Sequence, residues 1–157
     1  MQFYVPLYCL CRRFFTNPHE AVESVNDGMM KVFERIGTYR PDRGRFFNWV
    51  YTIVRHTALD KLRSSVARTI RTDMLDDATP EIDSGDNPLR SMEEKDIYRL
   101  LDRLTPATRV IFDLFYIENY TIREVADELS IAAGTVKWHL SEGRRKLKSL
   151  LEQHFNE

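Results

Sequence analysis

The sequence predicts an all-α fold: two small helical domains joined by an acidic flexible linker, the C-terminal domain a helix-turn-helix. Three observations carry that expectation. Apolar residues recur at three-four spacing through most of the chain, no stretch alternates as a half-buried strand would, and TIREVADELSIAAGTVKWHL, residues 121–140, reads as two short helices around a tight turn. The expected domains are residues 1–64 and 93–157, with 65–92 as the linker.

Each element has its own signal. Pro6 fits the first turn of a helix running to about Phe15. Asn17 caps a second helix, with Pro18 at its first position and Glu20 to complete a capping box. Its apolar set is Val22, Val25, Met29, Val32, Phe33 and Ile36, and Gly37 is its stop. The polar loop TYRPDRGR leads into a third helix over residues 46–63. The pattern then fails: TDMLDDATPEIDSGDNPLRS holds two prolines, a glycine and many Asp and Ser residues without an amphipathic period, which predicts a mobile acidic tether. A helix resumes over residues 93–104, and Thr105 caps another opened by Pro106. In the helix-turn-helix, Thr121 and Glu124 form a capping box, while Val125, Leu129, Ile131, Val136 and Leu140 are the buried positions. Ala126 is small where the helices meet, and Gly134 and Thr135 open the second helix.

With 43% hydrophobic and 30% charged residues and a net charge of −1, the chain is not a basic nucleic-acid coat. Its charge is divided instead. Residues 1–63 hold ten basic and six acidic side chains, residues 64–104 six and ten, and residues 105–157 seven and eight. Residues 134–148 carry five basic side chains against Glu142 alone, the local excess that a groove-docking surface requires. Cys9 and Cys11 without a second pair do not make a zinc site, so no metal is expected. The opening FYVPLYCLC is too short to span a bilayer and lacks a basic leader and a cleavage site, so a cytoplasmic protein without membrane insertion is expected. No phosphate-binding glycine loop, zinc-binding His pair or nucleophile motif supports an enzyme, and no cofactor or small-molecule substrate is implied.

Projected at about 100° per residue, the third helix separates two faces. Phe46, Val50, Ile53, Val54 and Thr57 form the expected core side. Arg45, Trp49, Thr52, His56 and Arg63 line the opposite side, a pattern that suits a nucleic-acid strand, with cations for phosphate and π-faces for unstacked bases. Packing of Trp49 under a neighbouring helix stays open as the alternative. On the second helix Glu20, Glu23, Asp27 and Glu34 form a carboxylate row, read either as a solvated face or as a dock for a basic protein surface.

Taken together, YVPLYCLCRRFFTNPHEAVESVNDGMMKVFERI with YRPDRGRFFNWVYTIVRHTALDKLR resembles region two of bacterial RNA polymerase sigma factors, and LLDRLTPATRVIFDLFYIENYTIREVADELSIAAGTVKWHLSEGRRKLKSLL resembles region four. Two such regions joined by a short acidic linker resemble the extracytoplasmic-function (ECF) group. The resemblance implies a dissociable initiation subunit whose partners are core RNA polymerase and promoter DNA, with an anti-sigma factor as a further candidate. It implies polymerase binding through Glu20, Glu23, Asn26, Asp27 and Glu34. Single-stranded −10 contacts fall to Arg43, Arg45, Trp49, Thr52, Arg55, His56 and Arg63, with Gly44 letting the loop come close to a flipped base. Duplex −35 contacts fall to Thr135, Lys137, Trp138, His139, Ser141, Arg144, Arg145 and Lys148.

This chain departs from the pattern in three places. It starts within what resembles the second helix of region two, which leaves apolar surface around Phe3, Tyr4 and Leu7 less covered; Glu142 stands where many relatives carry a basic residue; and Ser130 replaces a frequent turn glycine. A free-standing LuxR-type regulator is the alternative, because GTVKWHL also resembles that recognition helix. It leaves the stripe from Arg45 to Arg63 and the acidic row unexplained.

Overall fold

The computed structural model describes residues 2–73 and 87–155, and every regular element among them is helical. They are α1 (Tyr4–Phe14), α2 (Pro18–Arg35), α3 (Phe46–Asp73), α4 (Glu94–Arg103), α5 (Pro106–Tyr116), α6 (Ile122–Leu129) and α7 (Ala133–Phe155). Two 3₁₀ turns, Ile36–Thr38 and Pro41–Arg43, stand between α2 and α3. The chain divides into two compact units, Met1–Ser64 and Ser65–Glu157.

In the first unit α1 packs on α2, and α2 lies against α3. Asn17 caps α2 by accepting the His19 N–H at 2.9 Å, ahead of Pro18. The face of α2 turned inward is made of small residues: Ala21, Ser24, Val25, Gly28 and Val32 are buried. Gly28 explains the need. A Cβ there would sit 2.8 Å from Val54 Cγ2 and 3.0 Å from the Val54 Cα, so the two helix backbones come closer than any side chain allows.

This corrects the apolar stripe expected on α2. Val25 and Val32 are buried, but Phe33 is 67% and Ile36 51% exposed, and Met30 joins them at 61%. Three-four spacing alone does not separate a buried stripe from an apolar outer face, and the small residues won the contact. Near the start of α1, Leu7 is covered at 1% exposure, against the sequence expectation, while Tyr4 and Val5 remain exposed. Cys11 is fully buried beside Ser24, and burial pushes its thiol up to about 11.

α3 is ten residues longer than the sequence pattern indicated, so the linker expected at 65–92 begins as helix. Leu59, Leu62 and Val66 continue the three-four spacing and are buried, which carries the helix through the two serines. At the other end of that stretch, Asn87 caps a turn over Leu89 and donates to the Tyr116 carbonyl at 2.9 Å. Residues 74–86, the middle of the expected tether, lie outside the described residues.

In the second unit α5 is buried almost throughout, with α6 and α7 packed on it. Arg109 is buried and meets Asp102 at 2.8 Å, which neutralises a cation that the interior would otherwise reject. Gly143 repeats the device seen at Gly28: a Cβ would fall 2.6 Å from Phe112 Cδ2, so α7 lies directly on that ring.

Gly28→Ala and Gly143→Ala are each expected to lower stability by about 1–3 kcal/mol through overpacking. Gly37→Ala should be nearly neutral, because nothing stands within 4 Å of the added carbon. Chemical denaturation of the three variants checks the order.

Candidate nucleic-acid interface

The loop between α2 and α3 and the first turns of α3 enclose a cavity of about 340 Å³. It is lined by Thr38, Tyr39, Arg40, Arg43, Gly44, Arg45, Asn48, Trp49 and Thr52. Local chemistry shapes the loop. The Tyr39 hydroxyl donates to the Gly44 carbonyl at 3.0 Å, drawing the loop closed upon itself. Gly44 has φ 142°, a conformation that side chains rarely adopt. Pro41 opens the 3₁₀ turn flanked by Arg40 and ending at Arg43, both exposed at the cavity.

Aromatic rings form one wall. Tyr39 stands 5.4 Å from Trp49 and 5.1 Å from Phe46, and Phe46 stands 5.8 Å from Trp49. Trp49 is half-buried: one side rests on the cluster and the other lines the cavity. Trp49 is thus packed on one side, as the alternative reading had it, and open on the other. Phe46, expected in the core, belongs to this cluster with Phe3 at 6.1 Å. Among the cavity's charged residues are three arginines, with Asp42 pairing Arg40 at 3.5 Å on the exposed loop. The arrangement offers a planar surface beside several cations, which is the chemistry of an unstacked base and its phosphate.

Of the seven residues assigned to this function, the cavity brings together Arg43, Arg45, Trp49 and Thr52. His56 and Arg63 are exposed further along α3, where Arg63 pairs Asp60 at 3.2 Å. Arg55 turns elsewhere, its guanidinium 5.8 Å from the centre of the Tyr51 ring, while Tyr51 accepts from Arg13 of α1 at 3.3 Å. Its place six residues after Trp49 puts it roughly 120° around the helix from the stripe. Tyr39, Arg40 and Gly44 come from the loop Tyr39–Arg45 that was expected to fold over a base, while Thr38 and Asn48 were missed: Asn48 carried no periodic signal, and Thr38 stands just before that loop.

The acidic row of α2 is exposed, with Asn26, Met30 and Phe33 exposed beside it and its Glu23–Asp27 edge turned toward α3. Lys61 of α3 had no place in the sequence reading, yet it meets Glu23 at 3.1 Å and Asp27 at 3.2 Å. Those two carboxylates hold the lysine in its charged form, raising its pKa against the opposing effect of desolvation. Glu20, Asn26 and Glu34 lie outside this bridge on the same exposed side.

The second surface is the helix-turn-helix. Thr121 and Glu124 form the expected reciprocal cap, Thr121 N–H to Glu124 at 2.8 Å and Glu124 N–H to the Thr121 hydroxyl at 3.1 Å. Val125, Leu129, Val136 and Leu140 are buried as expected, with the small Ala126 buried where the helices meet, whereas Ile131, also expected inside, is only half-buried. Two candidate DNA contacts are corrected. His139 is 1% exposed, with Nδ1 at 2.7 Å from the Thr108 hydroxyl, and Thr135 is 8% exposed. Both fall on or beside the helix face that packs inward with Val136, Leu140 and Gly143, so neither is presented to a groove. Arg144 is half-buried near Tyr116, whose phenol burial pushes up against the pull of this arginine. Lys137, Trp138 and Ser141 are half-exposed, and Arg145 and Lys148 fully so, on the opposite side of α7. Arg145 is gripped by Glu142 through two bonds of 3.3 and 2.9 Å.

Comparison with known proteins finds relatives along most of the chain. Residues 1–68 match the family described as Sigma-70 region 2, and residues 94–147 match Sigma-70 region 4. The ECF RNA polymerase sigma factor SigK of Mycolicibacterium vanbaalenii is 28% identical over 92% of this chain and 76% of its own length. SigE of Mycolicibacterium smegmatis is 28% identical over 96% of this chain and 59% of its own length. A solved structure of the sigma factor RpoE in complex with the anti-sigma factor NepR from Bartonella quintana shares the fold, with a TM-score of 0.54 at 19% identity over 94% of this chain and 90% of that one.

Ser130 ends α6 at φ 55°, the left-handed conformation in which a Cβ is unfavourable. Ser130→Gly is expected to raise stability by about 0.5–1 kcal/mol, the relief of that strain less the entropy of glycine. Thermal melts of the two proteins check the sign.

Proposed function

The chain belongs to the extracytoplasmic-function (ECF) group of RNA polymerase sigma factors, and on that basis we propose how its surfaces divide the work. It is a dissociable RNA polymerase subunit that recognises −35 and −10 promoter elements and promotes transcription initiation. In this reading residues 1–64 bind polymerase and open the −10 element, residues 93–157 bind the −35 duplex, and residues 65–92 join them. It works by binding alone, in the cytoplasm, without cofactor or catalysis. No helix among the described residues is long and apolar enough to cross a membrane.

The observation that carries the −10 assignment is the cavity walled by Trp49 and Tyr39 and ringed by Arg40, Arg43 and Arg45. An opened duplex recloses unless its unpaired bases are held. Stacking on an aromatic ring supplies roughly 1–3 kcal/mol per base, enough to offset about one lost base-pair step, and polymerase provides the rest. A volume of 340 Å³ suits one extruded base with residual water. Trp49 and Tyr39 take its face, and the arginines take the flanking phosphates. His56 and Arg63 continue the path of the strand along α3.

Polymerase docks on the outer face of α2. Glu20, Asn26 and Glu34 address a basic partner surface directly, while Glu23 and Asp27 do so with part of their charge already balanced by Lys61. Exposed Met30 and Phe33 supply the apolar area that charge alone does not. On α7, Lys137, Trp138 and Ser141 face bases, and Arg145 and Lys148 set register on phosphates. A LuxR-type regulator leaves both surfaces of the first unit without a task. An anti-sigma factor is a further partner of this reading, by likeness to the B. quintana pair.

Trp49→Ala should leave closed-complex formation intact and cut open-complex formation by about tenfold, the equivalent of 1–2 kcal/mol of stacking. Permanganate footprinting reads the opening, and a template with a pre-melted −10 bubble should restore most of it. Wild-type opening by the variant would remove the cavity from the mechanism. Because Trp49 already lines open space, its loss should cost less stability than the 3–5 kcal/mol of a fully buried aromatic.

Glu34→Lys should abolish core polymerase binding while leaving duplex binding by the second unit unchanged. It tests the acidic face more cleanly than Asp27→Lys, which would also break the Lys61 bridge. Co-purification with core polymerase decides it.

A further inference from the structure

Glu142 is the only carboxylate on α7 before Glu152, on a helix otherwise dominated by hydrogen-bond donors. Its position is awkward for a DNA surface, since a carboxylate repels phosphate. Yet the structure does not hide it. Its side chain is 29% exposed and is held by both the Nε and the Nη2 of Arg145, at 3.3 and 2.9 Å. Two bonds fix the plane of the carboxylate, and the neighbouring cation keeps it ionised, below the usual carboxylate range. One turn earlier, Trp138 stands on the same flank of the helix, half-exposed. Opposite them, around the helix axis, lie the buried Val136, Leu140 and Leu147.

We propose that Glu142 is a specificity-determining residue of the −35 contact: its carboxylate, oriented by Arg145, accepts a hydrogen bond from the N4 amino group of a cytosine in the major groove. This rests on the reading of α7 as the −35 recognition helix. The chemistry of base edges selects the base. Cytosine offers an amino donor with no acceptor beside it on the same base, whereas adenine sets its N7 acceptor beside its amino group, where that lone pair repels a carboxylate. Thymine and guanine present acceptors, O4 or O6 and N7, which a carboxylate rejects. The same grip consumes two of the donor sites of Arg145, so that residue reaches DNA only with its remaining N–H groups. A residue that weakens nonspecific phosphate attraction is here the one that discriminates.

The test uses the full chain with core polymerase on promoter DNA whose −35 region is randomised, followed by sequencing of the bound fraction. Wild type is expected to favour cytosine over thymine at one −35 position by about tenfold or more. Glu142→Gln, which can donate and accept, should move that preference toward adenine, and Glu142→Ala should flatten it at that position alone. Identical selection by wild type and both variants would overturn the proposal and leave the pair as a solvated ion pair. Loss of selection in both variants without the move to adenine would also overturn it, because Glu142 would then merely position Arg145. If wild type selects no −35 sequence at all, the groove orientation of α7 fails, and the proposal falls with it.

Discussion

The first unit depends on how closely α2 approaches α3. At Gly28 the contact is backbone against Val54, and no side chain on α2 can intervene. That approach requires a strip of small residues, Ala21, Ser24 and Gly28, with valines on either side. Everything larger on α2 is therefore displaced outward. Met30 and Phe33 are exposed because the inner face had no room for them, and they fall beside the carboxylates. A tight packing constraint on one side of a helix thus creates a mixed acidic and apolar exposed face on the other.

The same constraint positions the arginine-lined cavity. With α2 pressed against one face of α3, the opposite face of α3 is left for the loop from Thr38 to Arg45 to fold upon. The loop holds its shape through one tyrosine-to-carbonyl bond, one glycine at positive φ and a cluster of rings that costs no charge burial. Its arginines stay at the surface, where they remain hydrated and available to phosphate. Lys61 works the other way: it is drawn toward Glu23 and Asp27 and so tempers the acidic face near the helix contact.

The second unit solves a related problem with a different residue. Gly143 lets α7 lie on the Phe112 ring, and His139 finds its partner in Thr108. These inward commitments decide which side of α7 remains exposed. Buried polar groups such as His139 and Arg109 are satisfied within the unit, as the cost of desolvation demands.

Much of this was legible in the chain. Local chemistry determined the caps at Asn17, Thr105 and Thr121, the helical class throughout, and the strained turn at Ser130, because these involve residues a few positions apart. The resemblance carried the family, and the stripe from Arg45 to Thr52 carried the side of α3 that lines the cavity. Other features belonged to tertiary structure alone. Which apolar stripe of α2 is buried depended on the close approach to Val54, and the true end of the third helix on the burial of Val66. The burial of His139, which takes it and its neighbour Thr135 off the exposed side of α7, followed from α5 lying beneath α7. Periodicity assigns residues to a face of a helix, but which face is inner depends on the neighbour that packs there, and that neighbour is distant in sequence.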